Sequence, residues 1–430
     1  MIKCLSIQTL VLLCSLQAFG QQRFTKSTFT DYFNEIKAAT AKNENLWDYD
    51  IYAPILFVQP DTREIYANYP DTAQVLKKDG SIFTGILPKT VNIANTSIHW
   101  NGVHWAMVML PLPDIKENRL NLLAHELFHR AQSHLGFTSF NTDNNHLDQK
   151  EGRISLRLEL EALKAAILSG STEEMKRHLT DAMAFRLYRY KIYPAADSTE
   201  NILELNEGIA EYTGMMMSGR SAQEMQNHFL KELEQFLTNP TFVRSFAYQT
   251  IPLYGYLLQK TKYEWNKEIT SKTNLTKYFI QAFAIRLPND LKSTFYQIAN
   301  QYNGSTIIAE ETAREEAIKK LVAEYKDKFI EQPHLEISFQ KMNASFDPRN
   351  IIPLEDKGTV YPKIRITDNW GILTVTDGAL MSPGWDKISV RIPTQFGEIN
   401  VIGDGWILEL NQGFIVQKDS ASHNYILGKK

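Results

Sequence analysis

Cysteine is nearly absent from this 430-residue chain, which contains only Cys4 and Cys14. Both lie in the first twenty residues, a segment whose composition differs from the rest of the chain. If that segment is removed, the remaining chain has no thiol. A disulfide framework, a thiolate metal ligand and a cysteine nucleophile would then all be excluded.

The first twenty residues have the pattern of a secretory signal peptide. Lys3 is their only charge, an apolar run covers residues 10–16, and small side chains occur near Gly20. We therefore expect residues 1–20 to be cleaved near Gly20 and the chain to be secreted or periplasmic. Export without disulfides is more typical of bacteria. A lipid anchor at Cys14 is the alternative, but the large Leu13 before it disfavours that modification.

Strong net charge and long apolar runs are also lacking after this segment. The formal net charge is −3, which gives no reason to expect nucleic acid or an anionic membrane as partner. No later stretch approaches the roughly 18 apolar residues that a membrane-spanning helix needs. The composition, 43% hydrophobic and 22% charged, is ordinary for a soluble protein long enough for two or three domains.

The order of residue patterns predicts an α+β protein. After a short helical lead-in, residues 50–116 alternate in the manner of strands, and residues 117–333 show helical spacing. From 334 to 430, short alternating runs are separated by Gly, Asp and Asn turns, and residues 408–416 are expected to form a hairpin. We expect a main domain over residues 21–333 and a small all-β domain over residues 334–430.

The clearest β element is a hairpin around Asn101-Gly102, a dipeptide that two-residue turns favour. This turn pairs Trp100 with Val103 and His99 with His104. One face of the hairpin, with Trp105, is expected to be core, and the two histidines on the other face are expected to be half-exposed. A second metal site at the histidine pair is the alternative, although no third ligand is evident nearby.

The helix that follows, expected over residues 117–135, contains the sequence His125-Glu126-Leu127-Phe128-His129. Residues four apart lie on one helix face, so two imidazoles can hold one metal ion. Glu126 can then reach a water beside that ion and take its proton. Ionisable side chains in this otherwise apolar helix are costly unless they are bound.

A later helix, expected over residues 199–217, contains an acidic stripe and the small residues Gly208, Ala210 and Gly214. The stripe consists of Glu200, Glu204, Glu207 and Glu211. Such a stripe is usually a solvated face. Glycine in a helix interior costs stability, but small residues permit close packing with another helix, so a metal site fits this helix better.

His125-Glu126-x-x-His129 together with Leu205-Asn206-Glu207-Gly208-Ile209-Ala210 resembles the gluzincin metallopeptidases, and especially their M1-like pattern. The resemblance covers about residues 105–260. It implies a zincin-like domain with an N-terminal β-sheet, an active-site helix and a helical subdomain. The metzincin branch does not fit, because it needs glycine and histidine where Gln132 and Leu135 stand.

The sequence also departs from the M1-like pattern. The two motifs are separated by many more residues than is usual, Arg130 stands where an uncharged residue is usual, and the exopeptidase motif Gly-x-Met-Glu-Asn is absent. The resemblance therefore implies a metallopeptidase fold and does not imply aminopeptidase specificity.

Carried over residue by residue, the resemblance makes His125, His129 and Glu207 the ligands of one zinc ion per chain. Glu159 and Glu161 remain alternative third ligands. Glu126 would be the general base, and Glu211 would orient a ligating histidine. Tyr248 is the expected donor to the oxyanion, with Tyr254 as the alternative.

We therefore expect an exported zinc-dependent metallopeptidase that acts on a peptide or protein substrate. The alternative is a non-catalytic secreted zinc protein that binds peptide or glycan through its C-terminal β domain. A general base at Glu126 would be of no use to such a protein.

Overall fold

A computed structural model describes residues 26–88, 91, 93–138, 142–346 and 351–430. The expected signal peptide lies outside these residues. The α+β class is confirmed, because the described chain combines helices with three β-sheets. From His334 onward it contains strands and a single 3₁₀ turn at Glu355–Lys357, as the change of pattern at 334 predicted.

The N-terminal part is a six-stranded sheet preceded by helix α1, Lys26–Lys42. Its strands are β1 (Ile55–Val58), β2 (Glu64–Ala67), β3 (Lys77–Asp79), β4 (Ile82–Ile86), β5 (Thr96–Trp100) and β6 (Val103–Met109). Their order is β3-β4-β2-β1-β6-β5, and only the β1–β6 pair is parallel. Strand β5 therefore forms one edge of the sheet.

The predicted hairpin register is confirmed, with Trp100 opposite Val103 and His99 opposite His104. Asn101 and Gly102 both have positive φ, as the mirror-image two-residue turn requires. His104 is half-buried, as expected, and His99 is exposed, but the face that carries them is also partly core. Ala106 and Val108, on the face of the histidines, are fully buried because a helix covers that part of the sheet.

That helix is α2, Lys116–Ala131, which carries the first motif. Its apolar face packs on β6, with Leu123, Ala124 and Leu127 in the same core cluster as Ala106 and Val108. The helix ends a few residues before the predicted limit at 135. Because residues i and i+4 share a helix face, this packing fixes the direction of the motif side chains.

The helical part continues with nine further helices in the described chain. They are α3 (Lys150–Leu168), α4 (Thr172–Ile192), α5 (Ala196–Leu203), α6 (Ile209–Met217), α7 (Ala222–Leu237), α8 (Ala247–Gln259), α9 (Leu275–Ala282), α10 (Leu291–Ala299) and α11 (Gly304–Lys326). None of the helices in the described residues is both long and apolar enough to cross a bilayer.

The predicted helix over 199–217 begins earlier and is interrupted. It starts at Ala196. The preceding residue, Ala195, has a left-handed conformation, and no side chain caps the helix. Between α5 and α6, residues Glu204–Gly208 form a π-helical turn. π-helical turns are rare in proteins, and those that occur are often located at functional sites.

The C-terminal region packs two antiparallel-rich sheets face to face around a common apolar core. Its strands are β7 (His334–Ser338), β8 (Asn343–Phe346), β9 (Ile352–Pro353), β10 (Thr359–Tyr361), β11 (Ile364–Asp368), β12 (Gly371–Val375), β13 (Ala379–Met381), β14 (Lys387–Arg391), β15 (Pro393–Phe396), β16 (Asn400–Gly403), β17 (Trp406–Leu410), β18 (Phe414–Lys418) and β19 (Tyr425–Lys429). The hairpin expected over residues 408–416 was wrong, because β17 and β18 belong to different sheets.

Candidate metal centre

Three potential ligand atoms converge where α2 meets the π-helical turn. The Nε2 atoms of His125 and His129 are 3.0 Å apart, and Glu207 Oε2 lies 3.6 and 3.2 Å from them, respectively. Ligands held tetrahedrally at zinc distances are separated by about 3.3 Å. The donor set therefore fits one zinc-sized ion, and no second group of this kind occurs in the described chain.

Two glycines allow the acidic helix to approach closely enough. A Cβ atom on Gly214 would lie 2.5 Å from the main-chain oxygen of Asn121 in α2. A Cβ atom on Gly208 would lie 2.7 Å from the side chain of Ile251 in α8. Any larger side chain would therefore push α6 or the π-helical turn away from its neighbours, and with it Glu207.

Hydrogen bonds at Nδ1 orient both imidazoles. His125 Nδ1 lies 2.9 Å from Glu211 Oε2, and His129 Nδ1 lies 2.9 Å from Gln132 Oε1. Since these oxygens only accept, each Nδ1 donates and each Nε2 is directed to the common point. The Gln132 amide nitrogen also donates to the Asn206 carbonyl (2.8 Å), which links α2 to the segment bearing Glu207.

Glu211 is itself held by a further chain of hydrogen bonds. Its Oε1 accepts from Asn121 Nδ2 at 2.8 Å, and Asn121 Oδ1 accepts from Arg220 at 3.2 Å. Sequence reasoning missed Asn121 and Gln132. Helical spacing was the available signal, since Asn121 precedes His125 by four residues and Gln132 follows His129 by three.

The electrostatics of the centre favour a cation. Burial disfavours the charged imidazole of His125, but its hydrogen bonds with Glu207 and Glu211 outweigh burial and raise the pKa to about 10. Burial opposes ionisation of Glu207 as well. Hydrogen bonds with the two histidines nevertheless hold its pKa far below the usual range, so this carboxylate is ionised.

Glu126 lies in the same cleft and forms no hydrogen bond with Glu207 or Glu211. It is 4% exposed, and its Oε2 has no hydrogen-bond partner among the described residues. Burial raises its pKa, which the neighbouring histidines partly offset. A buried carboxylate oxygen without a partner is unfavourable, and it is available to a ligand that enters the cleft.

Of the two candidate tyrosines, Tyr248 lies at the centre. Its hydroxyl donates to Glu207 Oε2 at 2.5 Å, and its ring stacks on His125 with centroids 5.5 Å apart. Burial and the charge of Glu207 raise its pKa, so the hydroxyl keeps its proton. Tyr254 instead donates to Glu159 at 3.0 Å, away from the histidines.

The alternative third ligands have other partners. Glu159 is fully buried and accepts hydrogen bonds from Arg186 at 2.7 Å and Arg189 at 2.9 Å. Glu161 pairs with Lys164 at 3.6 Å on the same helix. Neither carboxylate contacts His125 or His129, so Glu207 is the carboxylate that the structure brings to the histidines.

The centre opens into a cleft of about 250 Å³. Besides the residues of the centre, its lining is polar and uncharged: Asn95, Thr96, Ser97, Gln132 and Asn206. Thr96 and Ser97 belong to β5, the edge strand of the sheet. An extended chain in the cleft would therefore run beside an edge strand.

The alternative metal pair, His99 and His104, does not form a second centre. Their rings stack with centroids 4.0 Å apart and an interplanar angle of 14°. Imidazole lone pairs lie in the ring plane, so those of stacked rings run side by side and do not converge on one ion.

Comparison of the chain with protein-family models, curated proteins and solved structures found no match.

Proposed function

We propose that the chain is an exported zinc-dependent metallopeptidase of gluzincin type, with a zincin-like domain that hydrolyses peptide bonds. The observation that carries the proposal is the combination of three convergent ligand atoms with an unpartnered carboxylate oxygen of Glu126 in one cleft. His125, His129 and Glu207 would hold the ion. Zinc, when bound, lowers the pKa of water and polarises a carbonyl oxygen.

Glu126 would act as the base. Its raised pKa, caused by burial, brings the carboxylate closer to the range in which it can both accept a proton from the attacking water and donate it to the leaving nitrogen. The unpartnered Oε2 is free to accept that proton. A protein that used the metal only for structure would have no need to bury this oxygen without a partner.

Tyr248 would stabilise the substrate carbonyl oxygen as negative charge develops on it. Its hydroxyl keeps a proton because burial and Glu207 raise its pKa, and it stands beside Glu207 Oε2. A donor in this position strengthens its hydrogen bond as charge develops, which is how such groups lower a barrier.

Strand β5 would hold the substrate main chain. It is an edge strand whose residues Thr96 and Ser97 line the cleft. An extended peptide can add to such an edge through main-chain hydrogen bonds. This contact would place the scissile bond between the strand and α2, where Glu126 lies.

The proposal is tested by metal analysis and a peptide-library digest of the same preparation. We expect about one zinc per chain, cleavage that stops with a chelator, and recovery when zinc is returned. Zinc-loaded protein that cleaves no member of a broad peptide library would contradict the proposal and favour a binding protein.

A further inference from the structure

Three basic side chains lie together at one end of the cleft and have no part in the proposed metal centre. His99 belongs to β5, His104 to β6 and Arg130 to the last turn of α2. The two imidazoles stack at 4.0 Å, and Arg130 Nε donates to the His104 carbonyl at 2.9 Å. The three residues therefore form one cluster, which we call the basic cluster.

The basic cluster continues the substrate edge. Side chains alternate along a strand, so His99 lies on the same face as Ser97, about 7 Å further along β5. Ser97 lines the cleft. That face is the one covered by α2, because Ala106 and Val108 on it share a core with the helix. A side chain of an extended peptide beside His99 would be directed at the cluster.

The cluster has no acidic partner among the described residues. Burial lowers the pKa of His104, and the two basic groups that act on it, His99 and Arg130, lower it further. Arg130 is half-buried and pairs with a carbonyl and not with a carboxylate. In a chain with net charge −3, a basic cluster without a carboxylate stands out.

We propose that His99, His104 and Arg130 form an anion subsite that receives an acidic side chain of the substrate peptide. This inference rests on the proposed peptidase function. The residue received is two positions along the substrate from the residue opposite Ser97, because an extended peptide beside β5 has the same alternation of side chains. The guanidinium group of Arg130 matches a carboxylate, and His99 is exposed at the peptide edge.

Binding of labelled peptides tests the subsite without hydrolysis. The protein is the full zinc-loaded chain with Glu126→Gln. The probes are two pools of fluorescein-labelled octapeptides of mixed Ala, Ser and Leu, identical except for Asp or Asn at one scanned position. At low salt we expect one position at which the Asp pool binds about fivefold more tightly, the size of a well-placed accessible ion pair. The preference should shrink at about 1 M salt, where screening is short-ranged.

Variants separate the cluster from general electrostatics. Arg130→Gln and His99→Asn should each reduce the Asp preference, and the second removes an exposed side chain at little risk to folding. Arg365→Gln, an exposed charge change on β11, is the matched control and should leave the preference unchanged. Three outcomes would overturn the subsite. These are equal binding of the two pools, no binding of either pool, and an Asp preference that persists in both cluster variants.

The subsite and the proposed function fail in different ways. Peptide cleavage by the wild type without any Asp preference would refute the subsite and leave the peptidase function standing. An Asp preference that depends on Arg130, in a wild-type protein that cleaves nothing, would support the subsite and refute the peptidase function.

Discussion

Four glutamates of one helical stretch divide into two pairs with different environments. Glu200 and Glu204 are fully buried and bind Arg189 and Arg186 through two hydrogen bonds each. Glu207 and Glu211 both contact His125, and Glu207 also lines the cleft. All four belong to one acidic stripe of the sequence, but arginines bind the first pair. Glu200 also contacts a histidine, His146, at 2.7 Å, whereas only the second pair contacts His125.

The difference shows how the partner determines what a buried carboxylate can do. An arginine is always charged and can bind a carboxylate through two parallel hydrogen bonds, so Glu200 and Glu204 belong to a buried network that also contains Glu159. A histidine can give up its proton and present a lone pair to a metal. The arginine-bound pair, which we call the structural pair, therefore supports the histidine-bound pair, which we call the site pair.

The contacts of the structural pair show how that support is delivered. Glu204 lies in the π-helical turn that also bears Glu207, and it accepts a hydrogen bond from Thr250 in α8 at 2.7 Å. Helix α8 also carries Tyr248. The buried network thus fixes the two segments that carry the proposed third ligand and the proposed oxyanion donor.

The largest expected effect follows from removing an arginine that binds the structural pair. Arg186→Met would leave Glu159 and Glu204 buried without their main partner, at a cost of roughly 3–5 kcal/mol in unfolding free energy. Chemical denaturation measures it, and Lys164→Met, which breaks an exposed pair with Glu161, is the control. A loss below about 1 kcal/mol would mean that the network is dispensable, since that is the range of surface pairs.

A second contrast exchanges carboxylate for amide within each pair. Glu207→Gln removes the carboxylate of the proposed third ligand, so zinc affinity should fall by more than the 10–100-fold typical of supporting residues. Glu204→Gln should instead lower the unfolding free energy by about 1–3 kcal/mol through mismatched hydrogen bonds. Zinc titration and chemical denaturation of both variants measure the two effects. If Glu204→Gln lost zinc affinity and Glu207→Gln lost stability instead, the roles assigned to the two pairs would be wrong.

The junction between the pairs is sensitive to a single methyl group. Gly208→Ala would place a Cβ 2.7 Å from the Ile251 side chain, and overpacking of this kind costs about 1–3 kcal/mol. We expect lower thermal stability together with weaker zinc binding. Gly170→Ala is the control, because a Cβ there meets nothing within 4 Å. An unchanged Gly208→Ala protein would show that the close approach is unnecessary.

The smallest expected effect concerns Gln132, which orients His129. Gln132→Met removes the acceptor for His129 Nδ1 and the donor to the Asn206 carbonyl. Zinc affinity should fall by roughly 10–100-fold. Gln132→Glu keeps the acceptor and should recover part of the loss. Equal affinities of all three proteins in a competitive zinc titration would exclude Gln132 from the support of the site.

Local patterns predicted those parts of the molecule that depend on spacing along one element. The hairpin register followed from Asn101-Gly102, and the meeting of His125 with His129 followed from helical spacing. The expectation that Glu207 joins them rested on a resemblance, and the structure brings it to both histidines. Its role as a zinc ligand stays a prediction, as do those of Glu126, Glu211 and Tyr248.

The sequence could not indicate which carboxylates meet arginines. From the sequence alone, Glu159 was a reasonable alternative ligand. In the structure, Arg186 and Arg189 of α4 bind its carboxylate. The hairpin expected over 408–416 was wrong for a similar reason. Strand β17 pairs with the preceding strand β16 and with the distant β12, while the following strand, β18, belongs to the other sheet. Pairings across many residues depend on the whole fold, and no local pattern specifies them.

The most direct measurement of the proposed chemistry is hydrolysis by the Glu126→Gln protein. This change preserves size but removes the ability to accept a proton, so zinc content and thermal stability should stay near those of the wild type. Glu211→Gln is the matched control, since it should weaken zinc binding by roughly 10–100-fold. With a peptide that the wild type cleaves and a chelator protects, the Glu126→Gln rate should fall by about 10²–10⁴-fold. A zinc-loaded Glu126→Gln protein that cleaves this peptide at the wild-type rate would contradict the role of Glu126 as the base.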